Sequence, residues 1–190
     1  MKERPILFSG PMVRAILPGT KTQTRRVIKP QPDEDGLSKV IDGPWQDTDG
    51  RPYRCPYGVP GDRLWVRETW AVQHEYDAAA PSEIGASARW HYAATEDLGG
   101  LRKRPSIFLP RRGSRILLEI TDLRVERLQA ISGPDCWAEG IEAAGWDCER
   151  YGSVVECYRD LWETINGAGS WDANPSVWVV SFRRLPSIVG

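Results

Sequence analysis

Short apolar runs punctuated by turn residues set the pattern of this chain. Residues 4–9 (RPILFS) predict a first strand. Gly10-Pro11 then opens a helix, because proline suits a first turn and Gly19 stands just beyond the expected end. Met12, Val13, Ile16 and Leu17 recur at helical spacing and predict its buried face. A short strand is expected at 26–28. Residues 62–70 (DRLWVRETW) alternate, with Leu64, Val66 and Glu68 on one face and Trp65, Arg67 and Thr69 on the other. If Leu64 and Val66 face the core, so does Glu68, and a buried carboxylate needs a partner. Glu68 is therefore either paired with an arginine or part of a site.

Further strands are predicted at 87–93 and 115–127. In the second, Ile116, Leu118 and Ile120 share a face that Leu123 and Val125 continue on the opposite parity, so a bulge or bend is expected near Thr121-Asp122. Ser132-Gly-Pro-Asp135 has capping-box spacing, with Asp in place of the usual Glu or Gln. That helix should end at Gly140, leaving Glu139 in its last turn. A second helix over 153–165 carries Val154, Tyr158, Leu161 and Ile165 on one stripe. Residues 177–183 (VWVVSFR) make a final strand.

Between these elements lie two long irregular stretches. Residues 29–61, rich in Pro, Gly and Asp, read as a surface excursion. Residues 75–86 read as a loop, and a basic segment with Pro105 and Pro110 follows the strand at 87–93. There is no βαβ rhythm and no internal repeat. The order predicts one α+β domain spanning 1–190: a small, mostly antiparallel barrel with flanking short helices and long loop insertions.

Composition narrows the function. Twenty-five Lys and Arg against 26 Asp and Glu exclude a globally basic nucleic-acid binder. Only five of the cations are lysines, which leaves 20 arginines, whose planar forks suit phosphate and carboxylate and stack on flat rings. Arg102, Lys103, Arg104, Arg111, Arg112 and Arg115 cluster without an acid among them, a local patch that either attracts a polyanion or is simply solvated. Four cysteines with no CxxC pair, and two histidines, offer no zinc set, so no metal or other cofactor is expected. No signal peptide or membrane-spanning run is visible, and the expected setting is the cytoplasm, with reduced thiols and no membrane partner. Nothing points beyond a monomer. Most of the nine tryptophans should pack inside, although one or two could stack a base.

The densest chemistry lies in Gly19-Thr-Lys-Thr-Gln-Thr-Arg-Arg26, where three cations and three hydroxyls follow a helix end. Such a segment can hold a phosphate or an acyl oxygen, and it sets Thr24 near Lys21 as a nucleophile. Gly19, Lys21, Thr24 and Arg26 also fit the spacing G-x-K-x-x-T-x-R. In that motif and in its segment order the chain resembles the ASCH domain family, and most closely the longer bacterial and prophage-type members. The resemblance implies a PUA-like β-barrel, here with insertions at about 29–60 and 71–112 that minimal ASCH domains lack. Some small members are amidohydrolases of N4-acetylcytidine that use a Lys and a Thr of the signature plus a Glu. Others are ribonucleases or RNA-binding modules. Carried onto this sequence, the resemblance implies Lys21, Thr24 and Glu139 as catalytic residues. Gly19, Arg25, Arg26, Glu68, Arg111, Arg112 and Arg115 are the candidate substrate-binding residues, and the ligand is RNA or a nucleoside or nucleotide.

The base stays open at this level. Lys21 starts from a pKa of about 10.4, so serving at neutral pH needs a fall worth about 4 kcal/mol. Burial and neighbouring arginines push that way, and an ionised Glu139 pushes back. Either neutral Lys21 activates Thr24, or Glu139 or Glu68 does so while cationic Lys21 and Arg26 stabilise an oxyanion. A non-catalytic RNA-binding module and a ribonuclease using the same basic cleft are the alternatives.

Overall fold

The computed structural model describes residues 1–190 except 34, 41, 42, 86, 144 and 187–190. The excluded positions 34, 41 and 42 belong to the predicted excursion at 29–61, and position 86 to the predicted loop at 75–86. In chain order the elements are β1 (Glu3–Leu7), α1 (Gly10–Ile16), β2 (Gln23–Val27), β3 (Ser38–Lys39), β4 (Trp45–Gln46), β5 (Pro52–Tyr53), β6 (Arg63–Arg67), β7 (Trp70–Ala71), β8 (His91–Tyr92), β9 (Leu117–Arg127), α2 (Gly133–Ala138), α3 (Val154–Asn166) and β10 (Ser176–Arg184). Five strands form the main sheet in the order β1-β6-β9-β10-β2. Its ladders are antiparallel apart from β1 against β6.

The architecture is α+β and rich in sheet, as expected, but no closed barrel forms. β1 and β2 remain the two edges of the five-stranded sheet, with no ladder between them among the described residues. What spans the two edges is a side chain: Arg26 Nη2 donates to the Leu7 carbonyl at 2.8 Å, and the guanidinium lies 5.3 Å from the centre of the Phe8 ring. Residues of both edges, Leu7 of β1 and Thr24, Arg25, Arg26 and Val27 of β2, line one cavity.

Local patterning explains most of the framework. Proline sits in the first turn of α1, and the face of Met12, Val13, Ala15 and Ile16 is buried. The parity change in β9 is a true bulge: Ser181 pairs with Asp122 and Phe182 with Ile120, so Thr121 is left over. Ser132 Oγ accepts from the Asp135 N–H, the first half of a capping box, and the Asp135 carboxylate accepts from the Ser132 hydroxyl at 2.9 Å. β2 begins three residues earlier than expected because Gln23, Thr24 and Arg25 pair with Ser181, Val180 and Val179 of β10. The second half of the segment 19–26 is therefore edge strand.

The insertions are more ordered than their composition suggested. Within 29–61, β3, β4 and β5 make a three-stranded antiparallel meander of two-residue strands. The predicted strand at 87–93 shrinks to β8, which pairs with β7. The 71–112 stretch has its own apolar cluster of Trp70, Val72, Ile84, Ala88 and Leu109, separate from the main core. Cys148 and Cys157, with Cα atoms 5.4 Å apart, form a disulfide that ties a 3-10 turn to α3. This corrects the expectation of four reduced thiols; Cys55 and Cys136 are free.

Candidate functional site

The signature segment is clamped between the ends of two helices. Gly19 turns at φ +90°, a conformation glycine adopts without strain. Thr20 Oγ1 and the Lys21 N–H then both donate to the Ala15 carbonyl, which α1 would otherwise leave open, at 2.8 and 3.0 Å. The Thr22 N–H donates to the Ala138 carbonyl at the end of α2 at 2.9 Å. Gly140 makes this approach possible. It sits at φ +77°, and a Cβ there would lie 2.8 Å from Lys21 Cβ and 2.9 Å from Ala15 Cβ. With glycine at that position, the preceding residue, Glu139, comes to lie beside Lys21.

The contact between Lys21 and Glu139 is tight and almost dry. Lys21 is 3% exposed and Glu139 4%. Nζ donates to Glu139 Oε2, to the Glu139 carbonyl and to the Gln23 carbonyl, each at 2.8 Å. Three acceptors around one nitrogen match the three protons of an ammonium. Burial pushes the pKa of Lys21 down and the adjacent Glu139 carboxylate pushes it up, with the downward effect prevailing. Arg25 completes the group. Its side chain is fully buried and meets Glu139 at 3.3 Å, Glu126 at 3.0 Å and Asp135 at 3.2 Å. Arg124 braces the outer pair at 2.5 Å from Glu126 and 3.1 Å from Asp135.

Above this group opens a cavity of about 1190 Å³. Lys21, Thr24, Arg25, Arg26 and Glu139 all line it. Thr24 is 4% exposed. Phe8, Tyr53, Tyr57, Trp162 and Trp178 give aromatic walls, wide enough for a planar ring. Both insertions reach the cavity, the first through 51–57 and the second through Ser106 and Ile107. Among the described residues no cluster of His, Cys, Asp and Glu could hold a metal ion, and no helix is long and apolar enough to cross a membrane.

The other candidates lie elsewhere. Gly19 shapes the turn but does not line the cavity. Glu68 is 1% exposed and takes a two-pronged contact from Arg115, Nε and Nη2 each at 2.9 Å, while Arg115 stacks 4.1 Å from the Tyr92 ring. Of the two readings open for Glu68, the ion pair with an arginine is the one present. The basic segment is occupied internally. Arg102 and Arg104 donate to carbonyls of residues 76–79, Arg112 to those of Pro81 and Ser82, and Arg111 pairs with Glu3 at 2.7 Å. Arg102, Arg104 and Arg112 brace the second insertion against itself, and Arg111 ties it to β1 through Glu3. Of the two readings open for this segment, polyanion patch or solvated loop, neither describes its five arginines, which are engaged within the chain, and Arg111, Arg112 and Arg115 do not line the cavity.

Tyr158 is the residue that the pattern concealed. It occupies the apolar stripe of α3 and is 3% exposed, yet it lines the cavity. Burial foremost, and then the charge of Glu139, push its pKa well above the usual value, so the phenol keeps its proton. A tyrosine on an otherwise aliphatic face was the available signal, since a buried phenol ordinarily finds a partner. For Arg51 and Arg54 no such signal existed, because only the folded meander brings them to the cavity mouth.

A scan of family models and searches of curated proteins and of solved structures each return no match to this chain.

Proposed function

We propose that this protein is a hydrolase of an acylated nucleoside unit, of the N4-acylcytidine type, and an ASCH-type domain whose PUA-like sheet is left open at the site. The observation that carries this reading is convergence. Lys21 and Glu139, 118 positions apart, meet at 2.8 Å on the floor of one cavity that Thr24 also lines. A flat basic face, as a pure RNA-binding module would need, has less support, because the arginines of 102–115 are committed to the protein's own carbonyls and carboxylates.

Thr24 Oγ1 attacks the acyl carbon and its proton leaves to the Lys21–Glu139 pair. In the resting site Nζ has no free lone pair, so Lys21 first passes a proton along its contact to Glu139 Oε2. It can then take the one from Thr24. Burial lowers the pKa of Lys21 and so favours that transfer. The two groups titrate as one unit. Tyr158, protonated and lining the cavity, donates a hydrogen bond to the developing oxyanion. The C–N bond breaks with a proton returned from the pair to the leaving amine. Water then hydrolyses the threonyl ester, regenerating Thr24 and releasing the carboxylic acid.

Incubation with N4-acetylcytidine should release acetate and cytidine in equal amounts. Thr24→Ala should lower turnover by at least about a hundredfold, in the range for removal of a group that acts in the transition state. Turnover that survives in Thr24→Ala eliminates the nucleophile. Shortening of RNA in place of deacylation would favour the ribonuclease.

A further inference from the structure

Six cations line the main cavity (Lys21, Arg25, Arg26, Lys29, Arg51 and Arg54) against one carboxylate, Glu139. On the floor the charges are balanced, because Lys21 and Arg25 share Glu139 and Arg25 also meets Glu126 and Asp135. Toward the mouth they are not. Arg26 is half-buried, has no carboxylate within 4 Å among the described residues, and has an Nε shut off from water without a partner. Lys29 and Arg54 likewise have no described carboxylate partner, and Arg51 has only Asp49 at 3.8 Å, with both side chains at least 70% exposed. That is unusual for this molecule, whose arginines at 102, 104, 111, 112 and 115 are all engaged by the chain itself.

Uncompensated cations on one rim repel each other, at a cost that an anion would relieve. The position of the rim adds to this. Tyr53 and Arg54 form the wall shared with a second cavity of about 530 Å³, whose lining adds Lys2, Arg4 and Lys39 against one carboxylate, Asp62, which pairs with Arg4. Positive charge therefore continues outward from the mouth and away from the reactive floor.

We propose that the insertion at 29–60 builds a phosphate subsite at the cavity mouth from Arg51 and Arg54 opposite Arg26 and Lys29, so that the ligand is a phosphorylated nucleoside. The inference rests on the nucleoside reading for the group inside the cavity, but not for the anion at its mouth. Guanidinium forks bind phosphate oxygens two at a time, and the aromatic walls take the base. The phosphate belongs either to a free nucleotide or to an internal position of RNA.

Calorimetric titration of the full chain separates the possibilities, using cytidine, cytidine 5′-monophosphate, ribose 5-phosphate and a cytidine pentanucleotide. The monophosphate should bind at least about tenfold more tightly than cytidine, a margin of about 1.4 kcal/mol. The advantage should shrink as salt rises. In R51E/R54E, two exposed positions, the monophosphate-to-cytidine ratio should fall to about one. K103E/R150E, with the same charge change at residues lining neither cavity, should keep it. Equal affinity for cytidine and its monophosphate overturns the subsite, as does an advantage that persists in R51E/R54E. Ribose 5-phosphate binding that depends on Arg51 and Arg54, without any binding of cytidine, upholds the subsite and removes the nucleoside reading. A pentanucleotide tighter than the monophosphate upholds it with RNA as the source of the phosphate, and the reverse order upholds it with a free nucleotide.

Discussion

Two arginine-rich stretches with the same apparent chemistry have opposite fates in this fold. The segment at 19–26 and the segment at 102–115 each concentrate cations without a neighbouring acid in sequence. The first delivers Lys21 and Arg25 to buried carboxylates from β9 and α2, beneath an open cavity. In the second, Arg102, Arg104 and Arg112 spend their forks on carbonyls of a loop some 25–31 residues away, and Arg111 and Arg115 pair with Glu3 and Glu68 away from the cavity lining. The difference lies in the acceptors that the fold supplies. Where distant elements deliver carboxylates beneath the cavity, a charged site forms. Where free carbonyls of an irregular loop lie nearby, the same residue type becomes a structural brace.

The comparison is most severely tested at Glu139. Glu139→Ala leaves Lys21 without its counter-charge in a dry pocket and takes one of three carboxylates from Arg25, so a loss of about 3–5 kcal/mol is expected in denaturant unfolding. A change below about 1 kcal/mol would mean that the floor charges do not depend on one another. Arg104→Ala comes next. Its guanidinium serves the carbonyls of Tyr76, Asp77 and Ala79 and lies 5.2 Å from the Trp70 ring. Removing it should cost about 1–3 kcal/mol and speed amide exchange in the second insertion, with ligand affinity at the cavity unchanged. If affinity falls instead, the two arginine regions are not independent.

Smaller effects sharpen the cavity side. Tyr158→Phe should leave stability within about 1 kcal/mol, because it removes a single hydroxyl from the cavity lining and keeps the ring. It should lower kcat by roughly ten- to a hundredfold, with KM little altered, if the phenol meets the oxyanion. The smallest effect is expected at Asp135. Burial would raise its pKa, but the Ser132 hydroxyl and the charges of Arg25 and Arg124 outweigh it and hold the carboxyl below its ordinary value. Its contribution is therefore complete above the unfolded value of about 3.9 and is lost as pH falls through the folded one. Asp135→Asn should flatten the stability curve only below about pH 4, and a change confined to neutral pH would contradict the assigned pairing.

How much of this was legible depended on the range over which the cause acts. The bulge at Thr121 was visible because a parity change is local to one strand. The need of Glu68 for a partner was legible from alternation alone, while the identity of Arg115 was not, since 47 residues separate them. The early start of β2 was hidden because its partner, β10, is at the far end of the chain and edge pairing, not propensity, makes Gln23 extended. The meander within 29–61 escaped notice for a different reason: strands of two residues show no periodicity. At the site, the cluster of Lys21, Thr24 and Glu139 could be expected from the family resemblance and segment order. The role of the first insertion could not, because nothing along the chain says that β5 folds over the end of β2.

The open edge-to-edge gap between β1 and β2 has one more consequence. A ladder completed there would satisfy both strands with backbone amides and leave no chamber. The unzipped margin instead leaves main-chain donors and acceptors of two neighbouring strands beside whatever enters, so a guest can be held by the scaffold itself as well as by side chains. Recognition through such a margin depends on the guest's outline and tolerates variation in its edges. Discrimination must then come from the tyrosine, threonine and guanidinium groups that reach into it.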